Sequence, residues 1–360
     1  MENQVVIFDK PDRLKALRSV SGSKVAVMAN WRPADGFDGW VNSLQPDAVE
    51  IEANEITSAI VESFHRLGIK VQTMNLGAWD KPEFWDKSVR AGADWIQTDL
   101  PEEIIAHIFM QQRPKRPALV SFHRGANHYA PENTLPAFLK AARLGADYVE
   151  FDVRTTRDGR FFLLHDSQLD RTSNGKGPIA QALAEEVAKL DAGGWFGRPF
   201  AGLHLPTLDE FLTAVPPSVQ LYFDAKAIPP DALSAAVEKY HLAERTIVYQ
   251  SADYLVKLKA INPRIRALPP LGRPEEIDGL AAKLQPYAVD AKWSILSKEV
   301  IDRCHAHGIK VFSDALGANE KIEQYQQALE WGIDLIQTDH PLRVYRAMAL
   351  HGMSAEKARK

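Results

Sequence analysis

The sequence predicts an α/β protein: a (β/α)8 barrel preceded by an extra (β/α)4 half-barrel that duplicates the barrel's own C-terminal half. Three observations predict it. Short apolar runs alternate with helical patterns along the chain. Polar residues recur where those runs end, which is the face on which a barrel of this kind builds its sites. Residues 44–101 align without a gap to 284–341 at a constant offset of about 240, and about 22 of the 58 positions are identical.

In chain order, strands are expected near 5–8, 25–30, 48–52, 70–74 and 95–98, separated by helical patterns such as Thr57 to Leu67. The repeat is clearest where Leu44-Gln45-Pro46 matches Leu284-Gln285-Pro286, and where Gly68-Ile69-Lys70-Val71 matches Gly308-Ile309-Lys310-Val311. Ile96-Gln97-Thr98-Asp99 likewise matches Ile336-Gln337-Thr338-Asp339. Residues 1–112 therefore read as the half-barrel. The basic, proline-containing 113–117 reads as a linker, 118–350 as the complete barrel and 351–360 as a tail. Ala118 to Phe122 is a buried type of strand ending at His123, and Asn133 or Thr134 is placed to cap the following helix, which Gly145 stops. In Tyr148-Val149-Glu150-Phe151-Asp152-Val153, alternation sets both carboxylates on one face. Arg157-Asp158-Gly159-Arg160 turns the chain back as a hairpin whose return strand ends at His165. Residues 167–215 form a long, glycine-rich connection of the kind that faces a substrate. Val219 to Lys226 follows, with Tyr222, Asp224 and Lys226 on one face. Later strands are expected at 246–251, 264–268, 288–292, 310–313 and 334–339, so one strand lies outside a strict count of eight.

Bulk properties narrow the function. The 360 residues carry a formal net charge of −4, which argues against a nucleic acid held on a basic surface. No apolar run approaches the length of an integral membrane segment. The start, Met1-Glu2-Asn3-Gln4, lacks a signal-peptide pattern, which suits a cytoplasmic protein or a periplasmic or secreted one whose leader was trimmed. The single cysteine, Cys304, rules out an internal disulfide and a cysteine-based metal site.

The chemistry concentrates between residues 121 and 177. His123-Arg124, Glu150 with Asp152, and His165-Asp166 each stand at or beside the end of an apolar run, so they converge at strand ends. Two acids on one strand face repel unless a cation or proton lies between them. Histidine titrates near working pH and suits general acid or base work.

The ordered set His123-Arg124-Gly125, Pro131-Glu132-Asn133-Thr134, Val149-Glu150-Phe151-Asp152-Val153, Asp158-Gly159, His165-Asp166 and Leu169-Asp170-Arg171-Thr172 resembles the glycerophosphodiester phosphodiesterase family. The likeness continues through Leu190 to Phe196 and Pro206 to Glu210 and closes at Gln337-Thr338-Asp339-His340-Pro341. It implies metal-dependent hydrolysis of a small glycerophosphodiester to glycerol phosphate and an alcohol. His123 and His165 would serve as acid and base, in an order the sequence leaves open. Glu150, Asp152 and Asp224 would be metal ligands for one hard divalent cation, Mg²⁺ or Ca²⁺. Arg124 and Lys226 would bind the substrate phosphate, with Glu132, Asn133 and Asp166 behind them. A phospholipase-D-like or cyclising phosphodiester lyase activity on the same site is the alternative, as is an inactive phosphate- or glycan-binding protein.

Two departures from the family pattern stand out. Asp224 occupies a position where relatives usually have glutamate. Val311-Phe312-Ser313-Asp314-Ala315-Leu316 lacks the tryptophan and asparagine of the V-x-V-W-T-V-N found in many relatives. Trp195, Phe196, Trp293 and Phe312 are candidates either for the wall of an alcohol pocket or for the core. In the N-terminal copy Glu50, Glu52 and Asp99 are acidic, but nothing matches H-R-G, E-x-D or H-D, so no active site is expected there. Two open half-barrels could close a second barrel in a homodimer. Alternatively, the half packs on its own barrel, or residues 4–112 exchange with the C-terminal copy to complete the catalytic barrel.

Overall fold

The computed structural model describes residues 6–113 and 115–358, so the expected start at Val5 and the linker residue Pro114 lie outside the described residues. The chain forms two compact units, one ending at Ile108 and one beginning at Phe109.

The first unit alternates β1 (Val6–Phe8), α1 (Pro11–Ser21), β2 (Ala26–Asn30), α2 (Phe37–Leu44), β3 (Ala48–Glu52), α3 (Ser58–His65), β4 (Lys70–Asn75), α4 (Pro82–Ala91) and β5 (Trp95–Thr98). The helix α5 (Pro101–Gln112) carries the chain out of it. All five strands are parallel in the order β1-β2-β3-β4-β5, the expected four strand–helix units followed by the expected fifth strand. Trp31, Val49, Ile51, Phe64 and Val71 form the core under the helices.

The second unit runs β6 (Leu119–Phe122), α6 (Leu135–Arg143), β7 (Tyr148–Thr155), β8 (Phe161–Leu163), α7 (Ala184–Val187), α8 (Leu208–Ala214), β9 (Gln220–Asp224), α9 (Pro230–Lys239), β10 (Thr246–Tyr249) and α10 (Ala252–Ile261). It continues with β11 (Arg266–Leu268), β12 (Pro270–Leu271), α11 (Ile277–Leu284), β13 (Ala288–Ala291), α12 (Lys298–Ala306), β14 (Lys310–Asp314), α13 (Ile322–Trp331), β15 (Leu335–Thr338) and α14 (Pro341–Ala358). The residues expected as a tail are thus helical through Ala358.

Pairing runs β11-β10-β9-β7-β6-β15-β14-β13-β12, parallel throughout. The two ends of that path, β11 and β12, are successive pieces of one strand interrupted at Pro269, whose carbonyl accepts from Asp290 N. Counted so, eight strands ring a TIM-like barrel. The extra strand is β8, which pairs antiparallel with β7 alone. Because β15 pairs with β6 and β10 pairs with β9, the C-terminal copy completes this barrel. The exchange with residues 4–112, one of the three arrangements the sequence left open, is not what the chain does.

Tyr148, Tyr222, Ile247, Leu268, Phe312 and Leu335 point inward and fill the barrel. Alternation then carries Glu150, Asp152, Asp224, Asp290 and Asp314 to the inner face nearer the C-terminal mouth. Phe312 is fully buried and belongs to this core, not to a pocket wall. Trp195, 44% exposed, packs edge-on to Phe196 in the long connection.

The repeat holds in backbone detail. Gln45 and Gln285 end α2 and α11 in the left-handed region, at φ 50° and 43°, before a proline that cannot continue the helix. Asp94 accepts from His65 Nε2 and Val71 N, as Asp334 does from His305 Nε2 and Val311 N.

Candidate active site

The barrel mouth is built from the ends of β6, β7, β9, β13, β14 and β15. Glu150 and Asp152 leave β7 on its inner face, and Asp224 lies beside Asp152 in the register of β7 with β9. One carboxylate oxygen from each of the three lies within 4.8 Å of the others, and all three are buried. Burial and the charges of Asp152 and Asp224 push the Glu150 carboxyl well above its ordinary value. Asp224 is pushed up to about 6 by burial and by Asp152, with Lys226 pulling the other way. Asp152 Oδ1, on a residue 1% exposed, accepts no hydrogen bond. A buried carboxylate oxygen without a donor, beside two raised carboxyls, is the arrangement that a hard cation would relieve. The residues fit such an ion.

Cations already border the triad. Lys226 Nζ pairs with Asp224 Oδ2 and lies 3.4 Å from Asp152 Oδ1. Arg124 Nε lies 3.6 Å from Asp152 Oδ2. The Arg124 backbone is left-handed at φ 56°, a conformation costly for any residue but glycine. It is held there by its own N–H, which donates to Glu150 Oε2 at 2.7 Å. Gly125 follows at φ 79° in close approach to Ala137 of α6.

Asn133 also sits at φ 56°. It does not cap α6: its Nδ2 donates to Asp152 Oδ2 at 2.8 Å, and its Oδ1 accepts from Asp152 N at 3.1 Å. Thr134 holds the N-cap position, but its hydroxyl donates back to Pro131 O. Glu132 accepts from Arg124 Nη1 at 2.9 Å. Despite burial, the Arg171 and Arg124 guanidinium groups keep its carboxyl below the ordinary range.

Both histidines are tied at Nδ1. His123 Nδ1 lies 2.8 Å from Asp339 Oδ1, just past β15. His165 Nδ1 lies 2.7 Å from Asp166 Oδ1. A carboxylate on Nδ1 leaves Nε2 as the nitrogen free to exchange a proton. Burial lowers the His165 pKa against the pull of Asp152 and Asp166, which favours the neutral ring. The chain is no longer a strand at His165, so Asp166 reaches both the histidine and Arg171, whose Nε donates at 2.7 Å.

Sequence reasoning missed Asp290 and Asp314, half-buried on the inner face of β13 and β14. Burial and mutual repulsion raise Asp290, and burial raises Asp314 despite His123 and Lys226. Only their parity with the inward tyrosines and Phe312 could have flagged them. Asp339 was visible only as one letter of Gln-Thr-Asp-His-Pro.

Residues 123–343 match the model of the glycerophosphoryl diester phosphodiesterase family. The chain belongs to that family. It is 33% identical over 233 residues to a glycerophosphodiester phosphodiesterase of Caldanaerobacter subterraneus subsp. tengcongensis, covering 62% of this chain and 94% of the relative. A Bacillus subtilis glycerophosphodiester phosphodiesterase is 28% identical over 246 residues, 61% of this chain and 82% of its own length. Among solved structures, the Agrobacterium tumefaciens glycerophosphodiester phosphodiesterase aligns with a TM-score of 0.57 at 28% identity, covering 63% of this chain and 99% of that one. An Oleispira antarctica phosphodiesterase in complex with sn-glycerol-3-phosphate aligns at 0.56 and 26%, covering 64% of this chain and 96% of that one. The protein is accordingly a phosphoric diester hydrolase acting on glycerophosphodiesters, small molecules. Among the described residues no helix is long and apolar enough to cross a membrane.

Proposed function

We propose that this phosphodiesterase hydrolyses glycerophosphodiesters to glycerol phosphate and an alcohol by two-histidine acid–base catalysis at a carboxylate-bound divalent cation. What supports the reading is the convergence, in one barrel mouth, of a buried acid triad with an unsatisfied oxygen and two histidines each tied at Nδ1. Glu150, Asp152 and Asp224 would hold Mg²⁺ or Ca²⁺. When bound, the cation supplies positive charge against the phosphate oxygens as negative charge builds there. Arg124, with its planar fork, and Lys226 orient the phosphate. One histidine takes a proton from the nucleophile at Nε2, while the other delivers a proton from Nε2 to the leaving alcohol oxygen.

The deciding experiment is release of glycerol phosphate from glycerophosphocholine and glycerophosphoethanolamine with Mg²⁺, with Ca²⁺ and with chelator. Turnover that chelator abolishes and either ion restores is the expected result. Turnover indifferent to chelator overturns the cation role, and a cyclic phosphate as the final product in phosphorus NMR moves the reading to the cyclising reaction.

Residues 6–98 we take to be a non-catalytic half-barrel duplicating the later half of the enzyme. Its edge strand β1 leaves Val6, Ile7 and Phe8 exposed, which is the ground for a homodimer closed through this unit. Light scattering decides it, since a monomer at all concentrations removes the shared barrel.

A further inference from the structure

Arg171 lies in the connection after β8, outside the set of groups given a role above. Its guanidinium is bidentate on two sides. Nε donates to Asp166 Oδ2 at 2.7 Å and Nη2 to Asp166 Oδ1 at 3.1 Å. Nη1 donates to Glu132 Oε2 and Nη2 to Glu132 Oε1, each at 2.8 Å. Each carboxylate in turn holds a working group. Asp166 Oδ1 is the partner of His165 Nδ1 at 2.7 Å, and Glu132 Oε1 is the partner of Arg124 Nη1 at 2.9 Å. One side chain thus joins the loop after β6, which carries Arg124, to the loop after β8, which carries His165.

We infer that Arg171 is a positioning residue that sets the proton-transfer histidine and the phosphate-binding arginine in one fixed relation. Stability is a poor explanation for the arrangement. The Arg171 side chain is 43% exposed, and at that exposure solvent screens much of what its charge contributes. Geometry is the better one. Two pairs of N–H···O bonds from two edges of a planar group fix two carboxylate planes, where a single ammonium would fix neither. Asp166 so fixed holds His165 with its Nδ1 protonated, and Glu132 so fixed aims the Arg124 fork. Arg171 touches no reacting atom, and its effect passes through those two acids.

The inference rests on the roles proposed for His165 and Arg124, so its test includes readouts that need no turnover. In the full chain, Arg171→Gln and Arg171→Lys are compared with wild type by imidazole nitrogen NMR of His165, by calorimetric binding of inorganic phosphate, and by kcat and KM. The charged groups acting on His165 are Asp152, Asp166, Arg124 and Lys226, and neither substitution removes any of them. We expect His165 to lose its single tautomer, because an Asp166 no longer held by Arg171 does not stay fixed on Nδ1. Phosphate affinity should fall roughly tenfold and kcat by up to about 10²-fold. Arg171→Lys should rescue neither, since it keeps the charge and loses the fork. Adding Asp166→Asn to Arg171→Gln should cost no more than the worse single change. An unchanged His165 tautomer with unchanged phosphate affinity in Arg171→Gln overturns the inference, as does full rescue by Arg171→Lys. Should Arg171→Gln fail to fold, the same readouts on Arg171→Lys decide. A wild-type protein without turnover would defeat the reaction assigned above, while the NMR and phosphate results would still judge Arg171.

Discussion

Asp339 Oδ1 accepts from His123 Nδ1 at 2.8 Å, joining the last strand of the barrel to the first. Asn127 Nδ2 donates to the same oxygen, and despite burial these contacts hold the Asp339 carboxyl below its ordinary value. Asp339 therefore stays charged and keeps His123 protonated on Nδ1. His123→Ala should lower turnover of glycerophosphocholine by roughly 10²–10⁴-fold, the contribution of one general acid or base. Asp339→Asn should leave the fold intact, since an amide occupies the same space. It presents either NH2 or oxygen to the ring and frees the tautomer, so the loss should be smaller but clear. Full activity in Asp339→Asn would show that the dyad has no part in catalysis.

The raised carboxyls of Glu150 and Asp224 compete for protons with any cation they bind. Calorimetry with Mg²⁺ from pH 5 to pH 8 should show affinity rising through about pH 6, the value for Asp224, with proton release on binding. Without metal, the sign for stability is the reverse. The folded value for Asp224 lies above its ordinary 3.8, so its contribution is present below 3.8 and lost as pH rises through about 6. Melting temperature with chelator should fall across that interval, and Mg²⁺ should restore it most at the upper end. A flat affinity from pH 5 to pH 8 would contradict this account.

Gly125 gives the mouth its shape. A Cβ there would lie 2.9 Å from both the carbonyl carbon and the Cβ of Ala137, on a backbone at φ 79°. Gly125→Ala should destabilise by about 1–3 kcal/mol and displace Arg124, its neighbour. Denaturant midpoints give the first quantity and phosphate affinity the second. An unperturbed midpoint would mean that α6 yields freely at this point.

Removal of the first 99 residues should preserve turnover, because the site draws only on positions from His123 to Asp339. The cut belongs before α5, whose end is part of the barrel: Phe109 stacks on Tyr345 at 4.7 Å, and Met110 lies over Gly145. A chain starting at residue 113 would lose both contacts and should melt earlier than one starting at residue 100. Equal melting temperatures would sink the argument for the earlier cut.

The strand ends were readable in advance because apolar runs mark them, and His123, Glu150, Asp152 and His165 each stand at such an end or within one. The strands of the N-terminal unit were readable for the same reason. What sequence hides is closure around the ring. Asp290 and Asp314 come within reach of Asp224 only because β13 and β14 curl back towards β9, and no local pattern encodes that. Asn133 misled differently: its residue type and position suit a cap, but the buried Asp152 carboxylate beside it claims its amide. The second piece of the broken strand was also illegible, since the expected strand stops at residue 268, before Pro269 and Pro270.

The repeat between residues 44–101 and 284–341 also bears on synthesis. β5 emerges from the ribosome long before β15 and carries the same Ile-Gln-Thr run, so when β6 is made its wrong neighbour is already waiting. At the inward position where β15 has Leu335, fully buried and in register with Leu119, β5 has Trp95. An indole is too large for that place, and Met74 stands where β14 supplies Asp314 to Gln337 Nε2. Such misfits would set the two copies apart while the chain folds, so Trp95→Leu should lower the yield of correctly folded protein on refolding from denaturant.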